Sequence, residues 1–432
     1  MTQQLISAIP YGYEAKTIFI EGDISRGLPS FNIIGMADRT ITEAKERIRA
    51  ALTNSNFSFP EQKLTINLAP AELKKNGSYF DLSIAIVILA LSNQLSPQDL
   101  AGRMFIGELA LDGEIRQIRG IINLVELAER ENIKELILPP SNYHEAMLVS
   151  HRVKITPIET LTQLFLYLKS QVKPLPPPTP AVIKKPSSLL ALDDIQGQSN
   201  AKRALIIAIA GRHNFLIKGP PGTGKTMLAK TARNLLPPLS RDEAITVAKL
   251  HSLAGKSITF GQRPFRSPHH SISLSALIGG GRQPKPGEIS LASHGILFLD
   301  ELPEFRRDAL EALRQPLEDA KVEIGRVNNL ASYPAKFTLI ATMNPCPCGY
   351  YGSKSHTCNC SPSSIDRYQN KISAPILDRI DLQLTAQDLD TSVLLKNTTL
   401  SKHEHNAAKK QIQNAISMQE HRYGKNGQRN AD

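Results

Sequence analysis

Residues 219–226, with the sequence GPPGTGKT, carry the clearest chemical signal in the chain. They follow a strand-like run at residues 214–218 and precede a helix-like run at residues 227–236. Glycines let backbone N–H groups turn inward around a phosphate, and the positive end of the following helix faces the same anion. This context predicts a nucleoside triphosphate site rather than a chance glycine-rich turn. The predicted cofactor-binding residues are Gly219, Pro220, Pro221, Gly222, Thr223, Gly224, Lys225 and Thr226.

Acidic and amide side chains follow two further strand-like runs. Asp300 and Glu301 end the apolar run at residues 295–299, as expected for a buried parallel strand. We expect Asp300 and Thr226 to hold Mg²⁺ and Glu301 to orient and deprotonate the attacking water. Asn344 follows the next run and would position the γ-phosphate or that water. Asn344 alone could be a turn residue, but three polar strand ends in this order predict ATP hydrolysis.

Arg379 lies in the segment ISAPILDRID at residues 372–381. An arginine between two aspartates could be an ordinary surface ion-pair residue. Its position after the Asn344 strand matches the point where ring-forming ATPases present an arginine to the neighbouring subunit's nucleotide. Such a residue stabilises the charge of the transition state. We therefore predict that Arg379 acts in trans.

All four cysteines of the chain lie within fifteen residues, as Cys346, Cys348, Cys358 and Cys360. This clustering predicts a tetrahedral zinc site, with His356 as a spare ligand. The C-x-C spacing is tighter than that of the usual zinc knuckle. Disulfides are disfavoured because nothing indicates an exported protein. A catalytic thiol is the alternative, although no partner base is specified.

The net charge of +11 is unevenly distributed. Residues 1–170 contain 17 Lys+Arg and 19 Asp+Glu, whereas residues 171–432 contain 34 and 21. Residues 244–287 contain six Lys and Arg and no acidic residue. This segment, called the basic tract below, predicts contact with a phosphate backbone without sequence-specific recognition. A solvated basic loop is the alternative, and the candidate DNA contacts are Arg263 and Arg266.

A hairpin is predicted from residue 321, with a turn at Asn328-Asn329, before the strand that begins at Lys336. Arg326 and Lys336 in this segment are two more candidate DNA contacts. A purely structural hairpin with solvated charges explains the pattern as well.

The remaining sequence divides the chain into domains. Residues 1–170 predict a mixed α/β domain with strands at 8–22, 30–34, 64–68 and 135–138 and helices at 40–51 and 81–91. A hairpin is expected at Asp112-Gly113, followed by a helix that ends at Glu131. Prolines make residues 171–188 an extended linker. Residues 189–395 form the predicted ATPase domain, followed by a helical segment at 396–432.

The set of motifs GPPGTGKT, PFRSPHH, GEISLASHGILFLDELPEF, MNPCPCGYYG and ISAPILDRIDL closely resembles the magnesium-chelatase-like AAA+ ATPases. The resemblance implies a P-loop parallel-sheet ATPase that uses ATP and Mg²⁺ as a hexameric ring. It further implies movement along single-stranded or branched DNA, with helicase and branch-migration activity in natural transformation and recombination. A magnesium-chelatase motor subunit is the alternative function.

The first domain resembles the Lon-protease-like fold of the ribosomal S5 domain 2 type. The resemblance puts Tyr79 where the serine nucleophile belongs, and the segment from Gly120 offers no lysine base. Ser78 lies one position early and is expected to cap a helix. We therefore predict that the fold is retained without proteolysis, which disfavours the further alternative of a Lon-like ATP-dependent protease.

The ends of the chain carry weaker signals. The first residues lack the pattern of a signal peptide, and no apolar run is long enough to cross a membrane, so a cytoplasmic protein is expected. Residues 402–423 are expected to form the first helix of a truncated lid. The resemblance implies a second sensor arginine in such a lid, and neither Arg422 nor Arg429 can be assigned that role by position.

Overall fold

A computed structural model describes residues 2–35, 39–75, 77–178, 190–256, 259–281, 284–326, 329–353, 355–386, 403–424 and 428–431. The chain forms two compact units. The first unit comprises Met1–Val182 and Ala248–Ser257, and the second comprises Ile183–Val247 and Ile258–Asp432. Most of the predicted linker lies outside the described residues.

The first unit is a mixed α/β structure. Its strands are β1 (Thr2–Tyr11), β2 (Glu14–Ser25), β3 (Ser30–Ile34), β4 (Lys63–Ala69), β5 (Arg103–Phe105), β6 (Glu108–Leu109), β7 (Ile115–Arg116), β8 (Glu135–Leu138) and β9 (Lys154–Pro157). Its helices are α1 (Arg39–Asn54), α2 (Asp81–Leu91), α3 (Pro97–Leu100), α4 (Ile121–Arg130), α5 (Pro140–Ala146) and α6 (Leu161–Leu168). One sheet has the order β1-β2-β4-β3 and a second has the order β5-β8-β9.

Helix α2 forms the centre of this unit's core. All eleven of its residues are buried, which explains why its sequence is apolar on every side. The predictions for α2, α1, β3, β4, β8 and the β6–β7 hairpin are confirmed. The single strand predicted at residues 8–22 is wrong. The chain reverses after Tyr11, through Gly12 at φ +60°, so that β1 and β2 pair as an antiparallel hairpin.

The second unit contains the remaining elements. Its strands are β10 (Phe215–Lys218), β11 (Phe265–Arg266), β12 (Gly279–Gly280), β13 (Lys285–Pro286), β14 (Ile296–Leu299), β15 (Lys321–Arg326), β16 (Asn329–Pro334), β17 (Thr338–Met343) and β18 (Leu382–Thr385). Helix α9 (Arg241–Ala254) begins in this unit, and its residues from Ala248 belong to the first. The other helices are α7 (Ser199–Gly211), α8 (Lys225–Leu235), α10 (Leu274–Ile278), α11 (Glu288–Leu291), α12 (Arg307–Glu311), α13 (Arg314–Asp319), α14 (Pro362–Gln369), α15 (Ala374–Leu377) and α16 (His403–Tyr423).

Five parallel strands in the order β11-β14-β17-β10-β18 form the central sheet of the second unit. Every residue of β14 and β17 is buried, which matches their nearly continuous apolar sequences. Lys218 pairs with Met343, and Leu299 pairs with Ala341. The carboxyl ends of β10, β14 and β17 therefore meet at one edge of the sheet, where ligands bind in folds of this class.

The hairpin of β15 and β16 differs slightly from the predicted one. Strands β15 and β16 form the predicted hairpin, but Arg326 pairs with Asn329, so its loop begins one residue earlier than predicted. The loop and the side chain of Arg326 lie outside the described residues.

Helix α16 confirms the predicted helix at the end of the chain, and its role as part of a lid stays a prediction. Among the helices of the described residues, none combines the length and the apolar character needed to cross a membrane.

Candidate nucleotide site

The phosphate-binding loop joins β10 to α8. Gly222 and Gly224 have φ values of +79° and +80°, in the left-handed region that glycine adopts readily. Gly224 is the residue before the first turn of α8, so the unpaired N–H groups of that helix begin at the loop. The Thr223 hydroxyl donates to the carbonyl oxygen of Pro220 at 2.9 Å, which holds the loop in its turn.

Lys225 lies inside this loop. Its Nζ donates to the carbonyl oxygens of Gly219 and Pro220 at 2.7 and 2.6 Å. Burial lowers the pKa of Lys225 from its ordinary value, while the charges of Asp300 and Glu301 act in the opposite direction. The loop thus holds a partly desolvated ammonium beside two acidic residues, where it can meet the terminal phosphates of a nucleotide.

Asp300 and Thr226 are brought together by the ends of β14 and the loop. The Thr226 hydroxyl donates to Asp300 Oδ2 at 3.0 Å. A hydroxyl and a carboxylate are hard oxygen donors of the kind that bind Mg²⁺ with substrate phosphates. The residues present therefore fit a magnesium ion bound together with a nucleotide.

Glu301 has a left-handed backbone, with φ +54°. Only a few per cent of non-glycine residues adopt this conformation, and such residues cluster at functional sites. Its N–H donates to the hydroxyl of Thr342 at 3.1 Å, and its side chain is exposed. The conformation turns Glu301 away from the axis of β14, immediately after the Asp300 carboxylate.

Thr342 is a positioning residue that sequence reasoning missed. It lies in β17 and is 1% exposed. Its hydroxyl donates to Asp300 Oδ1 and accepts from the backbone of Glu301, so one side chain fixes both acidic residues. The available signal was a hydroxyl next to the last position of a buried, mostly apolar strand.

Replacing Thr342 with valine, which keeps its shape, is expected to weaken Mg²⁺ binding about tenfold because Asp300 loses its donor. A Mg²⁺ titration of ATP turnover would measure this change. Thr342→Ser, which keeps the hydroxyl, is the matched control and should resemble the wild type. Equal losses in both variants would show that packing, rather than the hydrogen bond, matters at this position.

Asn344 follows β17 and faces the loop. Its Oδ1 lies 3.4 Å from the Nζ of Lys225. The structure thus brings together the candidate groups of three strand ends at one edge of the sheet: Lys225 and Thr226, Asp300 and Glu301, and Asn344.

Arg379 lies at the opposite edge of the same sheet. Its carbonyl oxygen accepts from the side chain of Asn214, the residue that precedes β10. Its guanidinium pairs with Glu318 at 2.7 Å. Four residues of β10, roughly 13 Å of strand, separate this edge from the phosphate loop. Arg379 therefore cannot reach the nucleotide that Lys225 would bind in the same subunit.

A cavity of about 400 Å³ lies at this second edge. Its lining includes Arg379, Lys336 and Arg263 together with the acidic residues Glu318 and Asp319. Lys336 is half-buried in this lining, so it lies with Arg379. Its role as a DNA contact stays a prediction.

Three cations of the basic tract are engaged by acidic residues within their own unit. Arg263 pairs with Glu243 at 3.0 Å, and its side chain is 9% exposed. Arg266 makes two hydrogen bonds to Glu288, at 2.5 and 2.8 Å. In the first unit, Lys249 is buried against Glu126 at 2.5 Å. The structure thus gives Arg263 a structural role and offers no free guanidinium at Arg266 for a phosphate backbone.

Glu243 organises this part of the second unit. It contacts Arg263, Arg212 and His294. Burial alone would raise its pKa, but the hydrogen bond to His294 and the charge of Arg263 hold that pKa down at about 2. A depressed carboxyl pKa stabilises the folded state above the ordinary value of 4.5, and this stabilisation disappears as the pH falls towards 2.

We expect Glu243→Gln to lower the free energy of unfolding by about 3 kcal/mol at pH 7, since a buried arginine loses its counter-charge. Urea unfolding followed by circular dichroism at several pH values would measure this loss. The difference from wild type should shrink as the pH falls from 4.5 towards 2. Asp242→Asn, at the exposed neighbouring position, is the control. A difference that does not change with pH would contradict the assignment.

The four cysteine side chains also converge, and their sulfur atoms all lie within 4.8 Å of one another. No disulfide joins them. His356, the predicted spare ligand, is exposed, and its ring lies 4.7 Å from that of Tyr350 at an angle of 55°.

The region that resembles a protease active site has no Ser–Lys dyad among the described residues. The hydroxyl of Ser78 donates to Glu108, and burial raises the pKa of Tyr79 to about 12. The prediction that Ser78 caps a helix is wrong. The residue preceding α2 is Phe80, and no side chain caps that helix, because the Ser78 hydroxyl is directed at Glu108.

Comparison with known proteins agrees with this arrangement. A family model described as magnesium chelatase, subunit ChlI, matches residues 191–394, and one described as subunit ChlI of Mg-chelatase matches residues 20–142. The chain is 47% identical to competence protein ComM of Haemophilus influenzae over 86% of this chain and 74% of that protein. It is 42% identical to the uncharacterized protein YifB of Salmonella typhimurium over 94% of this chain and 82% of that protein.

A more distant likeness is to a Lon protease. The chain is 30% identical to Lon protease 2 of Bacillus subtilis over 30% of this chain and 25% of that protein. The fold is therefore a Lon-protease-like α/β domain followed by a P-loop parallel-sheet domain. From the matched families and the extent of the identities, the chain belongs to the magnesium-chelatase-like AAA+ family, together with ComM and YifB.

Proposed function

We propose that this protein hydrolyses ATP with Mg²⁺ at the edge formed by β10, β14 and β17. The observation that carries the proposal is the convergence of Lys225, Asp300 and Asn344 from three separate strand ends. None of these three residues lies in a motif that by itself requires the other two to be nearby. Each residue type also suits phosphoryl transfer, in which positioning and charge stabilisation provide most of the catalysis.

The residues have separate roles in this reaction. The N–H groups of the loop and the ammonium of Lys225 bind the phosphates. Thr226 and Asp300 would hold Mg²⁺, which neutralises charge that develops on the phosphates. Glu301 accepts a proton from the attacking water, and Asn344 orients that water or the γ-phosphate. Thr342 keeps the carboxylate of Asp300 and the backbone of Glu301 in place.

We further propose that the protein acts as a homo-oligomeric, hexameric ring. The position of Arg379 supports this, because its guanidinium lies at the edge opposite its own phosphate loop. A neighbouring copy would bring its Arg379 to the nucleotide of the next subunit. AAA+ family membership agrees with such an assembly.

The proposed target of the ring is DNA, single-stranded or branched and without sequence preference. Residues 171–432 contain 34 basic and 21 acidic residues, and such an excess favours a polyanionic partner. The name of the relative from Haemophilus influenzae refers to competence, so we propose helicase and branch-migration activity during uptake and recombination of DNA.

The test is ATP hydrolysis by the full chain with and without forked DNA or a four-way junction, with Glu301→Gln as the inactive control. Stimulation by DNA that the variant lacks would support a DNA motor. Hydrolysis at the same rate with and without DNA would favour a magnesium-chelatase motor subunit, the function named in the family description. Absence of hydrolysis under both conditions would contradict the proposal.

A further inference from the structure

The four cysteines form a preorganised sulfur site. The Sγ atom of Cys346 lies 3.3 Å from that of Cys348 and 3.7 Å from that of Cys358, and the latter two are 3.6 Å apart. Zinc–sulfur bonds of about 2.3 Å in a tetrahedron place the sulfur atoms about 3.8 Å apart. The observed spacing is therefore close to that of a tetrathiolate zinc site.

A backbone N–H group supports the buried sulfur of this set. The N–H of Tyr351 donates to Cys346 Sγ at 3.3 Å. Such hydrogen bonds orient ligands and compensate the charge of thiolates, as outer-shell groups do at metal sites. Four thiols brought together in this way fit a soft, thiophilic cation.

The same loop packs directly against the phosphate-binding loop. Gly349 has φ +86°, and a Cβ atom at this position would lie 2.9 Å from both Cγ and Cδ of Pro221. Glycine therefore lets the backbone of the cysteine loop approach the Pro221 ring this closely. The N–H of Gly349 donates to the carbonyl oxygen of Cys346 at 3.0 Å, so the contact with Pro221 is made within the cysteine loop itself.

The cysteine loop also begins next to Asn344. Cys346 is fully buried two residues after Asn344, whose side chain lies 3.4 Å from Lys225. Between them, the carbonyl oxygen of Pro345 accepts from the side chain of Gln369 at 2.9 Å. The chain from β17 to the sulfur site is therefore held at both ends. Displacement of the sulfur atoms would move Asn344 and release Pro221.

We propose that Cys346, Cys348, Cys358 and Cys360 bind one zinc ion, and that this ion braces Asn344 and the phosphate loop. The zinc would act as a structural clip in the ATPase domain, closing the loop of fifteen residues from Cys346 to Cys360. Its effect on nucleotide binding rests on the function proposed above, whereas the metal site itself does not.

The metal is tested first on the unmodified full chain. Elemental analysis after purification without chelators should give about one zinc per chain. Modification of the thiols with a mercurial should release the zinc in proportion, as read with a metallochromic dye. Cys358→Ser should lose the zinc, while His356→Ala, at the exposed neighbouring position, should retain it. A metal-free wild-type chain with four reactive thiols, or with a disulfide, would overturn the proposal.

The bracing is tested by nucleotide affinity, which does not require turnover. Zinc is removed from the wild-type chain and restored, and binding of a fluorescent ATP analogue is titrated in each state. We expect affinity to fall about tenfold without zinc and to recover with it. If the chain contains zinc but its removal leaves nucleotide affinity unchanged, the bracing is overturned and the zinc site stands. A zinc-loaded chain that binds no nucleotide would overturn both the bracing and the ATPase proposal, and the zinc content would stand.

Discussion

Replacing Arg379 with alanine is expected to lower the kcat of ATP hydrolysis about 10³-fold and to leave nucleotide affinity nearly unchanged. The reason is geometric. Arg379 lies beside Asn214, at the start of β10, whereas the phosphate loop follows the other end of that strand. Its ion pair with Glu318 is partly exposed and contributes at most about 1 kcal/mol, so it does not fix the guanidinium to its own subunit.

Mixing two inactive variants provides the decisive measurement. Chains with Arg379→Ala keep an intact phosphate loop, and chains with Lys225→Ala keep the arginine. A site is complete where the phosphate loop of an Arg379→Ala subunit faces the arginine of a Lys225→Ala subunit. ATP hydrolysis should therefore reappear on mixing. Arg241→Ala, which removes another exposed arginine of the second unit, should behave as wild type. A mixture as inactive as its components would contradict action in trans.

Replacing Glu301 with glutamine is expected to lower the kcat of ATP hydrolysis about 10²- to 10⁴-fold because the attacking water loses its base. Glutamine keeps the size of the side chain and the hydrogen bond from the backbone N–H to Thr342. The substitution also leaves Lys225 and the phosphate loop unchanged, so ATP should still bind. Single-turnover hydrolysis and titration with a fluorescent nucleotide separate these two effects.

The control for this variant is Glu304→Gln. Glu304 is a nearby exposed carboxylate that lies 3.6 Å from Lys371 and has no role in the proposed reaction. The Glu304→Gln variant should hydrolyse ATP at close to the wild-type rate. Equal losses in the two variants would indicate a general effect of negative charge near the site rather than base catalysis by Glu301.

The convergence of Lys225, Asp300 and Asn344 at one edge of the sheet could be predicted because the sequence signals are local. The phosphate loop is contiguous, and buried parallel strands are apolar until the residue at which they meet solvent. Asp300 and Asn344 therefore stand out from the runs that precede them. Thr342 did not, since its hydroxyl lies inside an apolar strand and its importance depends on Asp300, which is 42 residues away.

The ion pairs of the basic tract could not be predicted from its composition. Its boundaries at residues 244 and 287 exclude Glu243 and Glu288 by one residue each. These are the carboxylates that neutralise Arg263 and Arg266. Lys249 finds its partner Glu126 across 123 residues of sequence. Ion pairs form between residues that are close in space. The composition of one segment therefore counts only one partner of each such pair.

If Arg379 acts in trans as proposed, its separation from the phosphate loop makes activity depend on protein concentration. One subunit then holds halves of two different sites and completes neither. An open row of n copies completes n − 1 sites, and closing the row into a ring completes the last. Turnover per subunit should therefore rise with the amount of protein, steeply at first, and level off once rings predominate. A cell could regulate this enzyme by its abundance alone, without an inhibitor.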